Sequence, residues 1–403
     1  MTSLARTPGP SARFVLLVGA MAALPAVTTD MYLPSLPVVV SELDTSPALV
    51  QATITGVLVG GAVGQLLVGP LSDRFGRRRP VLVGVALHVL ASLLCVVAAG
   101  IVPLLALRVV QGIGNAAATT TAMAVIRDRY SGATASAILS RLMLVIGLAP
   151  LLAPLAGSLV ADLAGWRAVF GVLAALGAGL AAVVWRFLPE TLPPARRRTD
   201  GPAGVLGGYG VLVRDRQFLA LAVLPGLGLG ALMCYVAGSP FVFQEQYGLS
   251  EAQFALLFAV NGIGLVLGSQ VNASLVRRFA PLQLMRVGVP VALGLALLLL
   301  LVAARDLGGL VGLTVPLWLL ITVNAVLPPN ASALALSRHG ERAGAAAAVI
   351  GALQAGIAGA VSPLVGLLGE DGVAMATVIL GVMAVALLVL ATGTPAYRRK
   401  ESP

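Results

Sequence analysis

Apolar residues run along this chain in blocks of roughly twenty, the length at which a helix rising 1.5 Å per residue crosses a hydrocarbon core of about 30 Å. Short stretches of Arg, Asp, Glu, Gly and Pro separate the blocks. Twelve can be marked, at 14–39, 49–71, 80–99, 102–126, 135–160, 166–188, 217–243, 251–275, 282–303, 310–331, 343–368 and 372–391. Lipid offers no partner to exposed backbone groups, so each block predicts a helix and the chain an all-α polytopic membrane protein. The first block runs on into TTDMYLPSLP, which marks it as a retained helix rather than a cleaved signal peptide.

Composition agrees, since 58% of the residues are hydrophobic and only 10% are charged, too few to coat a soluble exterior of this size. The net charge of +10 does not point to nucleic acid, because the arginines lie in short loops rather than on one face. They cluster at the termini and in alternate loops, at Arg74, Arg77 to Arg79, Arg127, Arg129, Arg196 to Arg198, Arg277, Arg278, Arg338 and Arg342. The intervening loops carry mainly Glu42, Asp44, Asp162, Glu245, Asp306, Glu370 and Asp371. By the positive-inside rule both termini are expected in the cytoplasm, as for a multi-pass protein of the bacterial inner membrane. Cys95 and Cys234 fall inside apolar blocks, and His88 and His339 lie far apart in sequence, so neither a disulfide nor a metal site is expected.

The longest connection, 189–216 (PETLPPARRRTDGPAGVLGGYGVLVRDR), is rich in Pro, Gly and Arg and reads as a cytoplasmic linker between two six-helix bundles, 1–188 and 217–403. The halves echo one another. GLAPLLAPLAG at 147–157 aligns with GIAGAVSPLVG at 356–366, and SDRFGRRRP at 72–80 more weakly with SLVRRFAP at 274–281. Chance similarity between Ala/Gly/Leu-rich helices is the plain alternative. Two parallel six-helix repeats are what a rocking-bundle transporter needs, with its substrate site between them.

Between the second and third blocks stands GPLSDRFGRRRP at 69–80. Gly69 would permit close helix contact, Asp73 ends a helix, Gly76 permits a tight turn, and Arg77 supplies charge for a neighbour. The fourth block carries LRVVQGIGNAAA with Arg108 inside the membrane, where it needs a partner or a wet cavity. Arg108 lies roughly 9 Å below the outer end of its helix at 1.5 Å per residue, and Asp30 sits at a similar depth in the first. Asp30 reads as the only acidic, and Arg108 as the only basic, residue of a helix interior, so the two are expected to pair. The alternative is a structural Arg108 held by backbone carbonyls, with Asp30 capping a helix broken beside Pro34.

The 69–80 loop closely resembles the loop motif of the major facilitator superfamily, and the Arg-Val-Val-Gln-Gly run resembles a motif of its proton-coupled members. TDMYLPSLP and SPFVFQEQYGLSEAQFALLFAVN at 239–261 resemble the bicyclomycin/chloramphenicol resistance branch of drug:proton antiporters, with the likeness running through essentially the whole chain. The resemblance implies a proton-coupled efflux transporter, with Asp30 carrying the proton, Arg108 tuning it, and Asp73, Arg77 and the Asp128 of VIRDRY forming a cytoplasmic gate. Two departures stand out. Ala22 occupies the place of a second first-helix acid found in some relatives, and the fifth-helix Gly-Pro-x-x-Gly pattern is degenerate at Ala153 to Gly157.

Thr29, Tyr32, Asn115, Tyr235, Asn261, Asn324 and Asn330 are the candidate substrate contacts, although interhelical bonding explains each equally well. No cofactor is expected, the drive being the proton gradient. The expected partners are a small, largely neutral amphiphile such as a phenicol, protons and the bilayer, with the chain acting as a monomer. An exporter of one endogenous metabolite is the alternative. Paired carboxylates, metal ligands or a nucleophile with its base, which an enzyme would require, are not apparent.

Overall fold

The computed structural model describes residues 11–130, 132–197, 202–394 and 396. Among them are twelve helices long and apolar enough to span a membrane. In chain order these are α1 (Ala12–Glu42), α2 (Pro47–Phe75), α3 (Arg78–Val96), α4 (Ile101–Arg129), α5 (Gly132–Ala164), α6 (Trp166–Phe187), α7 (Arg216–Gln246), α8 (Glu251–Leu275), α9 (Pro281–Arg305), α10 (Gly309–Arg338), α11 (Gly340–Leu368) and α12 (Gly372–Gly393). They form two pseudo-symmetric six-helix bundles. The arginine-rich face is called the inner face below.

Local chemistry explains several helix starts. Ser46, Ser250 and Asp371 accept from Leu49 N, Gln253 N and Ala374 N at the starts of α2, α8 and α12, satisfying amides that have no carbonyl one turn back. α1 is broken, because Pro34 and Pro37 lack the amide hydrogens that the carbonyls of residues 30 and 33 would take. Its first segment ends at Asp30, a 3₁₀ turn spans Leu33–Ser35, and helix resumes at Leu36–Glu42. α7 ends in a π-helical turn at Phe241–Gln246.

α4 is the axis of the first half. It crosses α2 with backbone touching backbone, for a β-carbon on Gly60 would lie 2.0 Å from Val109 O and one on Gly112 2.1 Å from Val57 O. The close contact expected at Gly69 is not made. A β-carbon there would meet nothing within 4 Å, and Gly69 instead lines a cavity. The linker also departs from expectation, since Pro202–Arg214 forms a helix with Leu212 buried and Tyr209 Oη donating to Leu66 O at 3.1 Å. Apolar positions 205, 206, 209, 212 and 213 carry the helical period that its Pro/Gly content obscured.

At the outer end the halves are joined by hydrogen bonds. Gln51 Oε1 on α2 accepts from Gly366 N, where α11 breaks after Ser362, at 3.0 Å. Gln244 Nε2, in the π turn of α7, donates to Pro34 O at the α1 break at 2.9 Å. Thr55 and Ser362 share a hydrogen bond at 3.3 Å. Both glutamines seek backbone groups at helix breaks, so the outer seal is made of neutral hydrogen bonds. At the inner end the halves part around a cavity of about 550 Å³ whose lining includes Gln65, Thr119, Thr120, Met123, Tyr209 and Gln354.

Candidate functional site

Arg108 is fully buried inside the first half. Its Nη1 donates to Gln111 Oε1 at 2.6 Å and to Thr28 O at 3.2 Å, and its guanidinium carbon lies 5.0 Å from the Tyr32 ring centre and 5.6 Å from that of Phe170. Gln111 Nε2 donates in turn to Ser92 Oγ at 2.7 Å, and Ser92 donates to His88 O at 2.7 Å. This chain fixes which end of the Gln111 amide faces the guanidinium. Nε and Nη2 of Arg108 have no hydrogen-bond partner among the described residues.

The expected pairing with Asp30 is therefore absent in this state, and helix geometry gives the reason. Residues 28 and 30 stand about 200° apart around α1 at 100° per residue, so the face that gives Thr28 to α4 turns Asp30 away from it. Equal depth did not mean equal azimuth. Asp30 is 6% exposed, ends the first segment of α1, and lies within electrostatic reach of the Tyr235 phenol on α7. A carboxylate there would also face the negative end of its own helix dipole.

Tyr235 Oη accepts from Asn261 Nδ2 at 3.0 Å, and its ring stacks on Phe258 at 5.3 Å and 16°. Asp30 thus lies within electrostatic reach of the Tyr235–Asn261 pair where α1 meets the second half. The other substrate candidates do not join them. Thr29 donates to Pro25 O in its own helix at 3.1 Å, and Asn115 Oδ1 accepts from Thr28 at 3.3 Å. Asn324 Nδ2 donates to Gly228 O at 2.8 Å, while Asn330 Nδ2 donates to Asn272 Oδ1 and Val326 O, both at 2.7 Å. Interhelical bonding accounts for the last two. Nor is Arg108 the one basic side chain within a helix, because Arg286 stands about one and a half turns into α9 and Arg141 deeper into α5.

At the inner end, Arg77 gathers both expected acids. Nη1 bonds Asp73 Oδ1 at 2.6 Å and Ser72 Oγ at 3.0 Å, and Nε and Nη2 bond Asp128 Oδ2 and Oδ1 at 2.8 and 3.3 Å. Burial opposes the Arg77 charge, but hydrogen bonds and attraction to Asp128 and Asp73 more than offset it, so its pKa is raised. Gly76 turns the chain at φ +90°. Asp73, Arg77 and Asp128 line the inner cavity opposite Gly344 and Ala345 at the start of α11. The cavity reaches Thr119 and Thr120 on α4, whereas Asn115, one turn further into the membrane, lies outside its lining.

A model of the Major Facilitator Superfamily matches residues 17–363. An uncharacterized MFS-type transporter of Bacillus subtilis, YdgK, is 35% identical over 90% of each chain. A bicyclomycin resistance protein homolog of Haemophilus influenzae is 30% identical over 89% of this chain and 90% of its own, and a chloramphenicol resistance protein of Pseudomonas aeruginosa 32% identical over 76% and 72%. Together with twelve apolar helices, these bacterial relatives mark a multi-pass inner-membrane transporter. The chain belongs to the major facilitator superfamily, in the branch of the bicyclomycin and chloramphenicol resistance proteins.

Proposed function

We propose that the protein exports small neutral amphiphiles, phenicols among them, in exchange for protons. The observation that carries this is Asp30, a buried acid at the junction of the two halves with no basic side chain bonded to it among the described residues. Such a carboxyl can hold a proton when dry and release it when the junction opens to water, which couples titration to rocking of the bundles. Both termini and the inner cavity face the cytoplasm in this scheme, so cargo enters from the inside, and one proton returns for each neutral molecule expelled. Arg77 with Asp73 and Asp128 forms the inner gate, and Tyr235 and Asn261 contribute polar contacts beside Asp30. Arg108 acts on Asp30 through the α1 backbone at Thr28 rather than by direct pairing.

Arg108 also biases the site against cations, and Asp30 has no second acid beside it at Ala22 to act as their counter-ion. Two assays check the proposal. In inverted vesicles energised by a pH gradient, Asp30→Asn is expected to abolish uphill phenicol transport while leaving the folded protein intact, because the amide keeps shape but cannot cycle a proton. Continued uphill transport by that variant would remove Asp30 from the mechanism. In susceptibility tests, wild-type expression is expected to raise phenicol resistance well before resistance to a quaternary ammonium dye, and the reverse order would overturn the neutral-substrate assignment.

A further inference from the structure

The segment leaving α6 does more than connect the halves. Glu190 Oε1 accepts from Arg77 N at 2.8 Å and from Leu192 N at 3.0 Å, and Glu190 Oε2 accepts from Arg78 N at 3.3 Å. Arg77 and Arg78 begin α3, so this carboxylate occupies the helix's N-terminal end, where unpaired amides and the dipole favour a negative charge. The turn is shaped to admit it, because a β-carbon on Gly76 would lie 2.3 Å from Glu190 Oε2. Thr191 Oγ1 donates to Asp128 Oδ2 at 3.0 Å, the oxygen that also takes Arg77 Nε. Arg78 donates to Trp185 O in the last turn of α6, and Arg197 stands 4.0 Å from Glu190. Burial alone would push the Glu190 carboxyl up, but the amides of Arg77, Leu192 and Arg78 and the charge of Arg197 hold it below its ordinary value.

Arg77 is thus held twice. Its side chain grips α2 and α4, and its main chain is gripped by the exit of α6. We propose that Glu190 and Thr191 are positioning residues of the inner gate: Glu190 fixes the α2–α3 turn so that Arg77 meets Asp73 and Asp128 together, and Thr191 orients the Asp128 carboxylate. The linker between the halves is then anchored in the gate, and strain on it as the bundles rock reaches the triad directly. The proposal rests on reading that triad as the gate, and it is independent of which compound is carried.

The test uses full-length protein in lipid nanodiscs, with Cys95 and Cys234 replaced by alanine and single reporter cysteines at Thr120 in the inner cavity or Thr55 on the outer seam. A membrane-impermeant maleimide reads access. Glu190→Ala is expected to speed labelling at Thr120 by about fivefold, as loss of a charge-assisted contact implies, and to leave Thr55 no faster. Glu190→Gln and Thr191→Val keep the side-chain shape and are expected to act in the same direction more weakly, so they carry the test if the alanine variant does not fold. Arg77→Ala combined with Glu190→Ala is expected to label no faster than Arg77→Ala alone, since both act through one turn. Wild-type labelling in all Glu190 and Thr191 variants, equal acceleration at both reporters, or multiplicative effects in the double variant would each overturn it. No drug is needed, so a failed efflux assay leaves this result readable, and unchanged labelling in an active pump sinks this proposal alone.

Discussion

The α2–α3 turn at 72–80 and the α8–α9 turn at 274–281 are related in sequence and occupy matching places in the two halves, yet only one is a clamp. In the first, Asp73, Asp128 and Glu190 converge on Arg77 and its main chain, which leaves Arg77 only 7% exposed. In the second, Arg277 and Arg278 lie exposed, and no acid stands between Ser274 and Pro281. The second half places its inner ion pairs elsewhere. Asp215, the N-cap of α7, accepts from Arg338 at 3.1 Å and lies 3.0 Å from His339 Nε2 at the end of α10. The backbone repeats and the charge chemistry does not. Both turns carry arginines, and acids decide which of them is drawn into an ion-pair clamp.

The sharpest test of this asymmetry is Arg77→Ala, which leaves two partly buried carboxylates without their cation. Transport is expected to fall at least about tenfold, as for other buried pairs broken from one side, measured as initial efflux rate at matched expression. Activity within a factor of two of wild type would erase the distinction between the turns. Arg338→Ala should cost less, about twofold, because that pair is part-exposed and Asp215 still caps α7 through Gln217 N and Phe218 N. Arg277→Ala with Arg278→Ala should leave the efflux rate at the wild-type value, because both side chains are exposed and that turn holds no acid for them to pair with. An effect as large as that of Arg77→Ala would mean the second turn gates after all.

The smallest expected effect is that of pH on the clamps themselves. The Glu190 and Asp215 carboxyls are held below their ordinary values, so their contribution is fully present above the unfolded range of about 4 and is lost only as pH falls through the lowered native values. Thermal melting of the Asp30→Asn protein is therefore expected to be flat between pH 6 and 8 as far as these two groups are concerned. A fall in melting temperature across that window that Glu190→Gln abolishes would show that the Glu190 clamp titrates where it should not.

The twelve spans were legible because apolar length has one solution in lipid, and the 69–80 loop because its acid and glycine exceed what topology requires. What the sequence hid was azimuth and distance. Residue counting puts Asp30 and Arg108 at a similar depth, but the use of Thr28 against α4 turns Asp30 away from Arg108. Glu190 looked like a linker residue because the two amides it takes from the α2–α3 turn, those of Arg77 and Arg78, lie more than a hundred positions away, and a main-chain donor leaves no mark in the residue code. Gln51 and Gln244 were missed for the same reason. Gly69 misled in the opposite way, since a small residue facing a cavity reads like one facing a helix.

The lone position of Asp30 also has an electrical meaning. Among the described residues, every other acid in a span lies within about three positions of its end. If one neutral molecule leaves for each proton that Asp30 returns, every cycle moves one positive charge inward. The membrane voltage then adds about 2.3 kcal/mol per 100 mV to the roughly 1.4 kcal/mol of each pH unit. At 100 mV and one pH unit this supports a concentration ratio of roughly 500. A monovalent cation exchanged for the same proton would move no net charge and draw on the pH gradient alone, so collapsing the voltage at fixed pH should slow export of a neutral cargo and spare a cationic one.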